Sequence, residues 1–162
     1  DGIYVLSVKG IGFETYFTLL DKLNILNVIK TDNDLRSVSS SKNYSVLGFS
    51  RCNSFIGEKI LPTARISENT VEAKRELYHE NIKSLDEIRD KYHIYLSKVD
   101  LENDLDEALH DKLVEYLGDS PVDYLQDSKH YHMVKLIEKL SDTDCRTIYK
   151  HYNFACLKEV FE

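Results

Sequence analysis

The chain has no tryptophan, only three cysteines among 162 residues, and no apolar run near the ~20 residues that span a bilayer. Its apolar stretches are strand-sized, such as IYVLSV at residues 3–8, so a membrane-spanning helix is excluded. No secretory signal is visible at the N-terminus. Cys52, Cys145 and Cys156 are scattered, with no CxxC pair. That excludes clustered zinc ligands and a disulfide framework, and it reads as free thiols in a reducing cytoplasm. Positive charge is also short: 21 Lys and Arg face 28 Asp and Glu, a formal charge of −7. Binding of nucleic acid by bulk attraction is thereby disfavoured. An acidic site that stays negative until cations arrive is not. Eleven tyrosines take the place of tryptophan in amphipathic packing, and some are suited to stacking on bases.

With 42% hydrophobic and 30% charged residues, the chain suits one domain, or one domain with an appendage. It opens on a strand without an initiator Met, so we expect a piece of a longer protein. The strand at residues 3–8 ends at a glycine turn, Gly10 and Gly12. That GxG lacks the third glycine or the Lys-Ser/Thr of a phosphate cradle and reads as turn geometry. Apolar residues at helical spacing follow over 13–23, and then a second strand at 25–29 (ILNVI). Strand, helix, strand predicts a βαβ unit with parallel strands. A polar, Ser-rich loop at 37–45, a stretch without clear period at 44–59 and a break at Pro62 precede two charged helices over 68–90, meeting near Asn81. A strand returns at 93–96 with Val99. It runs into a helix predicted over 105–117, with Asn103 or Asp104 as N-cap, and Gly118 and Pro121 end that helix. A short segment at 122–126 and helices over 129–140 and 145–162 complete an α-rich C-terminal part.

Two strands thus end in acids spaced i, i+2: Asp32 with Asp34, and Asp100 with Glu102. In extended backbone that spacing puts both side chains on one face. Hard divalent cations such as Mg²⁺ or Mn²⁺ take such carboxylate oxygens. Two cations about 4 Å apart stabilise both the attacking and the leaving oxygen of a phosphodiester. Ligand chemistry in open α/β sheets also sits beyond the carboxyl ends of strands. The competing reading is plain turn and cap chemistry, for which Asp is well suited. Arg36, just after the first pair, would contact a phosphate backbone or pair with a neighbouring acid. His130 and His132, spaced i, i+2 on a helix, diverge and are not expected to share a metal; His151 stands apart.

Together these segments resemble a Toprim domain, the catalytic fold of some topoisomerases, primases and OLD-family nucleases. The residues that carry the resemblance are VLSVKGIGF, ETYFTLLDKLNI, VIKTDNDLR and IYLSKVDLENDLDEAL, covering most of 3–36 and 93–117. In OLD-family nucleases a strand-end Asp-x-Asp is followed by an insertion and then an Asp-Leu-Glu-x-Asp-Leu-like motif, and both stand here in that order. Within that group the chain is most similar to the nuclease subunits of Gabija-type bacterial anti-phage defence.

The resemblance implies an α/β fold: a Toprim-like parallel sheet flanked by helices, with a helical insertion and an α-rich C-terminal part. Residues 1–36 and 92–162 would form the core, lacking its first strand, and residues 37–91 the insertion. It implies Mg²⁺- or Mn²⁺-dependent hydrolysis of DNA by a cytoplasmic endonuclease with an upstream ATPase domain, a homo-oligomeric state and a helicase-like partner. By motif, Asp32 and Asp34 would ligate one metal and Asp100 and Glu102 help hold a second. Asp104 would be an outer ligand or an N-cap. A lysine downstream of the Asp-Leu-Glu motif would stabilise charge on the phosphate. Lys129 is our choice, with Lys135 in reserve. Toprim domains also carry a Glu on their first strand, in a Val-Glu-Gly-like motif. Neither Asp1 nor Glu14 fits it, so we expect that Glu upstream and a fragment unable to cleave by itself. The alternative is a regulatory or oligomerisation module of a larger ATPase–nuclease complex, which the net charge and the missing Glu favour.

Overall fold

The helical spacing over residues 13–23 folds as α1 (Phe13–Lys22), and the first described strand, β1, follows at Ile29–Thr31. The computed structural model describes residues 3–4, 13–39 and 41–161. The expected first strand and glycine turn fall largely on residues 5–12, outside the described residues. The chain divides into two compact units, Asp1–Leu96 and Ser97–Glu162.

The first unit continues with β2 (Leu35–Ser37), β3 (Tyr44–Val46), α2 (Leu47–Ile56), α3 (Val71–Glu80), α4 (Ile82–Tyr92) and β4 (Ile94–Leu96). Strands β1 and β4 pair in parallel, with Ile29 opposite Ile94 and Thr31 opposite Leu96. Strands β2 and β3 form an antiparallel hairpin, and Tyr44 bridges on to Ile66. The core gathers Ile29 and Ile94 from the parallel pair, Phe49 and Cys52 from α2, Tyr78 from α3, and Leu85 and Ile88 from α4. Residues of the expected insertion therefore share one hydrophobic core with both parallel strands.

Several boundaries differ from expectation for physical reasons. The expected strand at 25–29 lies four residues later, because pairing with β4 selects Ile29 and Thr31 for burial while Ile25 and Leu26 stay exposed. The Ser-rich loop at 37–45 is the connection of the β2–β3 hairpin, whose three-residue strands are too short to show alternation. The periodless stretch after it contains α2. Small residues hide its apolar face, which buries Gly48, Phe49, Cys52 and Asn53. By contrast α3 and α4 do meet at Asn81, whose side chain donates to the Leu77 carbonyl at 2.8 Å.

The second unit holds α5 (Leu101–Leu117), α6 (Pro121–Asp127), α7 (Lys129–Ile137), α8 (Asp142–Lys150), a 3-10 turn (Tyr152–Phe154) and α9 (Ala155–Phe161). Its core is Leu105, Leu109 and Leu113 from α5 with Leu125, Leu136 and Phe154. Proline at the first position of α6 suits the helix start, where no N–H is needed. The helix expected over 145–162 begins earlier and splits at His151, whose ring accepts from the Asn153 N–H at 3.3 Å and caps the 3-10 turn. Among the described residues, no helix is long and apolar enough to cross a membrane.

Candidate functional site: two acidic clusters

Asp32, Asn33 and Asp34 connect β1 to β2. Asn33 is 0% exposed and donates to the Lys74 carbonyl on α3 at 3.1 Å. The acids on either side are half-buried, the alternation that extended backbone produces. Helix α2 presses on this loop at its first turn, where the Gly48 N–H donates to the Asp34 carbonyl at 3.0 Å. A Cβ on Gly48 would lie 2.8 Å from the Asp32 carbonyl oxygen and 2.9 Å from the Asn33 Cα, so only glycine permits this approach. Arg51, one turn further along α2, donates to the Asp34 carboxylate and to the Asp32 carbonyl. Arg36 lies exposed on β2, where its carbonyl accepts from the Ser45 hydroxyl at 3.2 Å. The guanidinium that reaches Asp34 thus comes from Arg51.

The second cluster opens α5. Asp100 is the N-cap, with extended backbone; its Oδ1 accepts from the Asn103 N–H at 2.9 Å and from the Asn103 amide at 2.8 Å. Its Oδ2 accepts from Gln126 on α6 at 2.8 Å. This corrects two expectations. The helix begins at Leu101, not near 105, because Asp100 rather than Asn103 or Asp104 captures the free N–H. The i, i+2 argument for extended backbone consequently fails for Asp100 and Glu102, since Glu102 already lies in the first helical turn. Acids there complement the positive end of the helix. Asp104, also within that turn, is 1% exposed and does not cap the helix.

Glu102 is 3% exposed, and burying a carboxylate is costly unless it is paired. Its partner is Lys129 at the start of α7, whose Nζ stands 3.2 Å from both carboxylate oxygens while the lysine side chain is 57% exposed. Lys135 lies elsewhere on α7, paired with Glu138 at 3.0 Å and above the Tyr131 ring. The structure therefore brings Lys129, not Lys135, to the Asp-Leu-Glu motif. His132 stacks on Tyr124 with centroids 3.8 Å apart and bonds its carbonyl, whereas His130 is exposed.

Among the described residues, no group of three His, Cys, Asp or Glu side chains is placed to hold a metal ion. Asp34 is engaged by Arg51, Glu102 by Lys129, and Asp100 by its cap and Gln126. As donors, these carboxylates fit a hard divalent cation, and basic side chains now meet part of their negative charge. Sequence reasoning missed Arg51, Gly48 and Gln126. The contacts span 17 residues for Arg51–Asp34 and 26 for Gln126–Asp100, and no local pattern marks them.

An α/β fold in which both strands of a parallel pair lead into acidic clusters is consistent with a Toprim-like architecture. No family model matches the chain. Over 99% of its length the chain is 36% identical, across a 173-residue alignment, to Endonuclease GajA of Bacillus cereus (strain VD045). It spans 30% of the length of that relative.

Proposed function

We propose that this chain is the catalytic segment of a divalent-metal-dependent DNA endonuclease that acts in bacterial anti-phage defence. The observation that carries the reading is the 36% identity, over nearly the whole chain, to a segment of an endonuclease. The acidic clusters that follow both parallel strands support it. In this reading residues 1–36 and 92–162 are the Toprim core and 37–91 its insertion. Asp32 and Asp34 would hold one Mg²⁺ or Mn²⁺, and Asp100 and Glu102, with Asp104 behind them, a second. Metal bound there supplies Lewis-acid stabilisation of the attacking and leaving oxygens of the phosphodiester.

The chain's own residues do the rest. Asp100 orders the first turn of α5 and so fixes Glu102. Lys129, mostly exposed yet anchored on Glu102, presents an ammonium to the negative charge that develops on the phosphate. Arg36, exposed on β2, contacts the DNA backbone. The whole protein would add an upstream ATPase domain, assemble as a homo-oligomer in the cytoplasm and work with a helicase-like partner.

Asp32→Ala and Glu102→Ala in the intact protein should each abolish Mg²⁺- or Mn²⁺-dependent nicking of supercoiled plasmid, with circular dichroism unchanged. Normal cleavage by both variants would sink the proposal. The acidic balance of the chain favours a second reading, a regulatory or oligomerisation module. In that case the chain binds no Mn²⁺ through these acids.

A further inference from the structure

Before any metal is considered, Asp34 already holds a cation supplied by the protein. The Arg51 guanidinium spans the Asp34 carboxylate and the Asp32 carbonyl, the latter at 3.1 Å. Its side chain is 25% exposed, and its buried Nε has no hydrogen-bond partner among the described residues. A buried, unpaired N–H is unfavourable. The ion pair with Asp34 offsets that cost and holds the guanidinium in place. Arg51 is one of several anchors of the loop. Asn33 is tied to the Lys74 carbonyl, and the Gly48 N–H is tied to the Asp34 carbonyl, by bonds that do not pass through the Arg51 side chain. The Arg51–Asp34 pair is thus a contact at this loop that involves a ligand carboxylate and can be exchanged while the Asn33 and Gly48 bonds still hold the backbone.

On the reading of Asp32 and Asp34 as cation ligands, we propose that Arg51 is a positioning residue. It keeps the Asp34 carboxylate neutralised and aimed until a divalent cation displaces the guanidinium. A guanidinium on Oδ2 and a divalent ion on the same carboxylate repel each other, and the divalent ion carries twice the charge. The Arg51–Asp34 contact therefore lowers the cation affinity of the pair, and removing the competing charge should raise it.

Mn²⁺ titration of the chain, with free Mn²⁺ read by electron paramagnetic resonance, tests this. Arg51→Gln should bind Mn²⁺ about tenfold more tightly than the wild type, and Arg51→Lys, which keeps the charge, within about threefold of it. In an Asp34→Asn background the gain from Arg51→Gln should vanish. A residue that merely braces the fold would lower stability without raising affinity, so an Arg51→Gln variant no tighter than wild type overturns the proposal. If that variant does not fold, the wild-type chain still decides. The buried Nε–H gives a distinct ¹⁵N resonance, expected to move when Mg²⁺ is added and to stay fixed in Asp34→Asn. If it stays fixed in the wild type while the Gly48 amide moves, the competition is refuted and the cation site stands. If neither moves and no Mn²⁺ binds, the cation site itself fails, and the role of Arg51 with it.

Discussion

Gly48 shows how much of this chain is decided by single residues that look ordinary in sequence. In LGFSRCNSFI it has the appearance of a helix-weakening glycine. In the fold it is the point where α2 meets the backbone of the Asp32–Asp34 loop, and a Cβ there would meet backbone atoms within 3 Å. Backbone cannot swing aside as a flexible side chain does, so Gly48→Ala must displace either the helix or the loop. The expected cost is about 1–3 kcal/mol, against a Tm shift of roughly 4–8 °C per kcal/mol for a unit of this size. Mn²⁺ affinity should fall with it. Differential scanning calorimetry checks the first effect and the Mn²⁺ titration the second; a variant with unchanged Tm would show that the helix and loop accommodate a Cβ without cost. Cys52, in contrast, is a buried thiol. Burial pushes the Cys52 thiol up to about 12, far from a reactive thiolate.

At the level of elements, legibility followed the length and regularity of the hydrophobic pattern. Helices α3 and α4, with long charged faces and an Asn between them, were readable to within a few residues. Helix α2 and the β2–β3 hairpin were not, because small residues and three-residue strands leave too little periodicity. The two acidic motifs were visible as residues, but the start of α5 was not. Asp100 caps through its own side chain and so converts an apparent strand extension into a first helical turn. Helix α8 offers a test of the same capping physics away from the site. Ser141 and Asp144 exchange hydrogen bonds in a capping box, and Tyr116 donates to the same carboxylate at 3.0 Å. The Ser141 hydroxyl, then its backbone N–H, hold the Asp144 carboxyl below its ordinary 3.8. A depressed folded-state value means that this stabilisation is fully present above 3.8 and is lost as pH falls through the lower, folded value. Chemical denaturation as a function of pH should therefore show an acid-side loss of stability that Asp144→Asn flattens. An identical acid limb in that variant would remove Asp144 from the account.

Across the whole molecule the charge is divided very unevenly. Residues 1–96 carry thirteen Lys and Arg against thirteen Asp and Glu, whereas residues 97–162 carry eight against fifteen. The entire formal charge of −7 thus belongs to the second unit, and no proline or glycine marks the step between the two units at Leu96 and Ser97. A field of that sign draws divalent cations and repels DNA. Mg²⁺ can stabilise such a chain in two ways, at a site or as a diffuse atmosphere. Specific binding to the folded state adds RT ln(1 + [Mg²⁺]/Kd), about 2.7 kcal/mol at a hundredfold excess over Kd. An atmosphere responds to net charge and not to which acid is removed. Glu102→Gln and Asp119→Asn each remove one negative charge from the second unit, the first inside the Asp-Leu-Glu motif and the second on the exposed segment after α5. At ionic strength held constant with NaCl, the rise in Tm on adding MgCl₂ should fall by more than half in Glu102→Gln and stay unchanged in Asp119→Asn, and EDTA should reverse it. Equal, small losses in both variants would assign the effect to the field of the unit and leave the Asp-Leu-Glu motif without a bound ion.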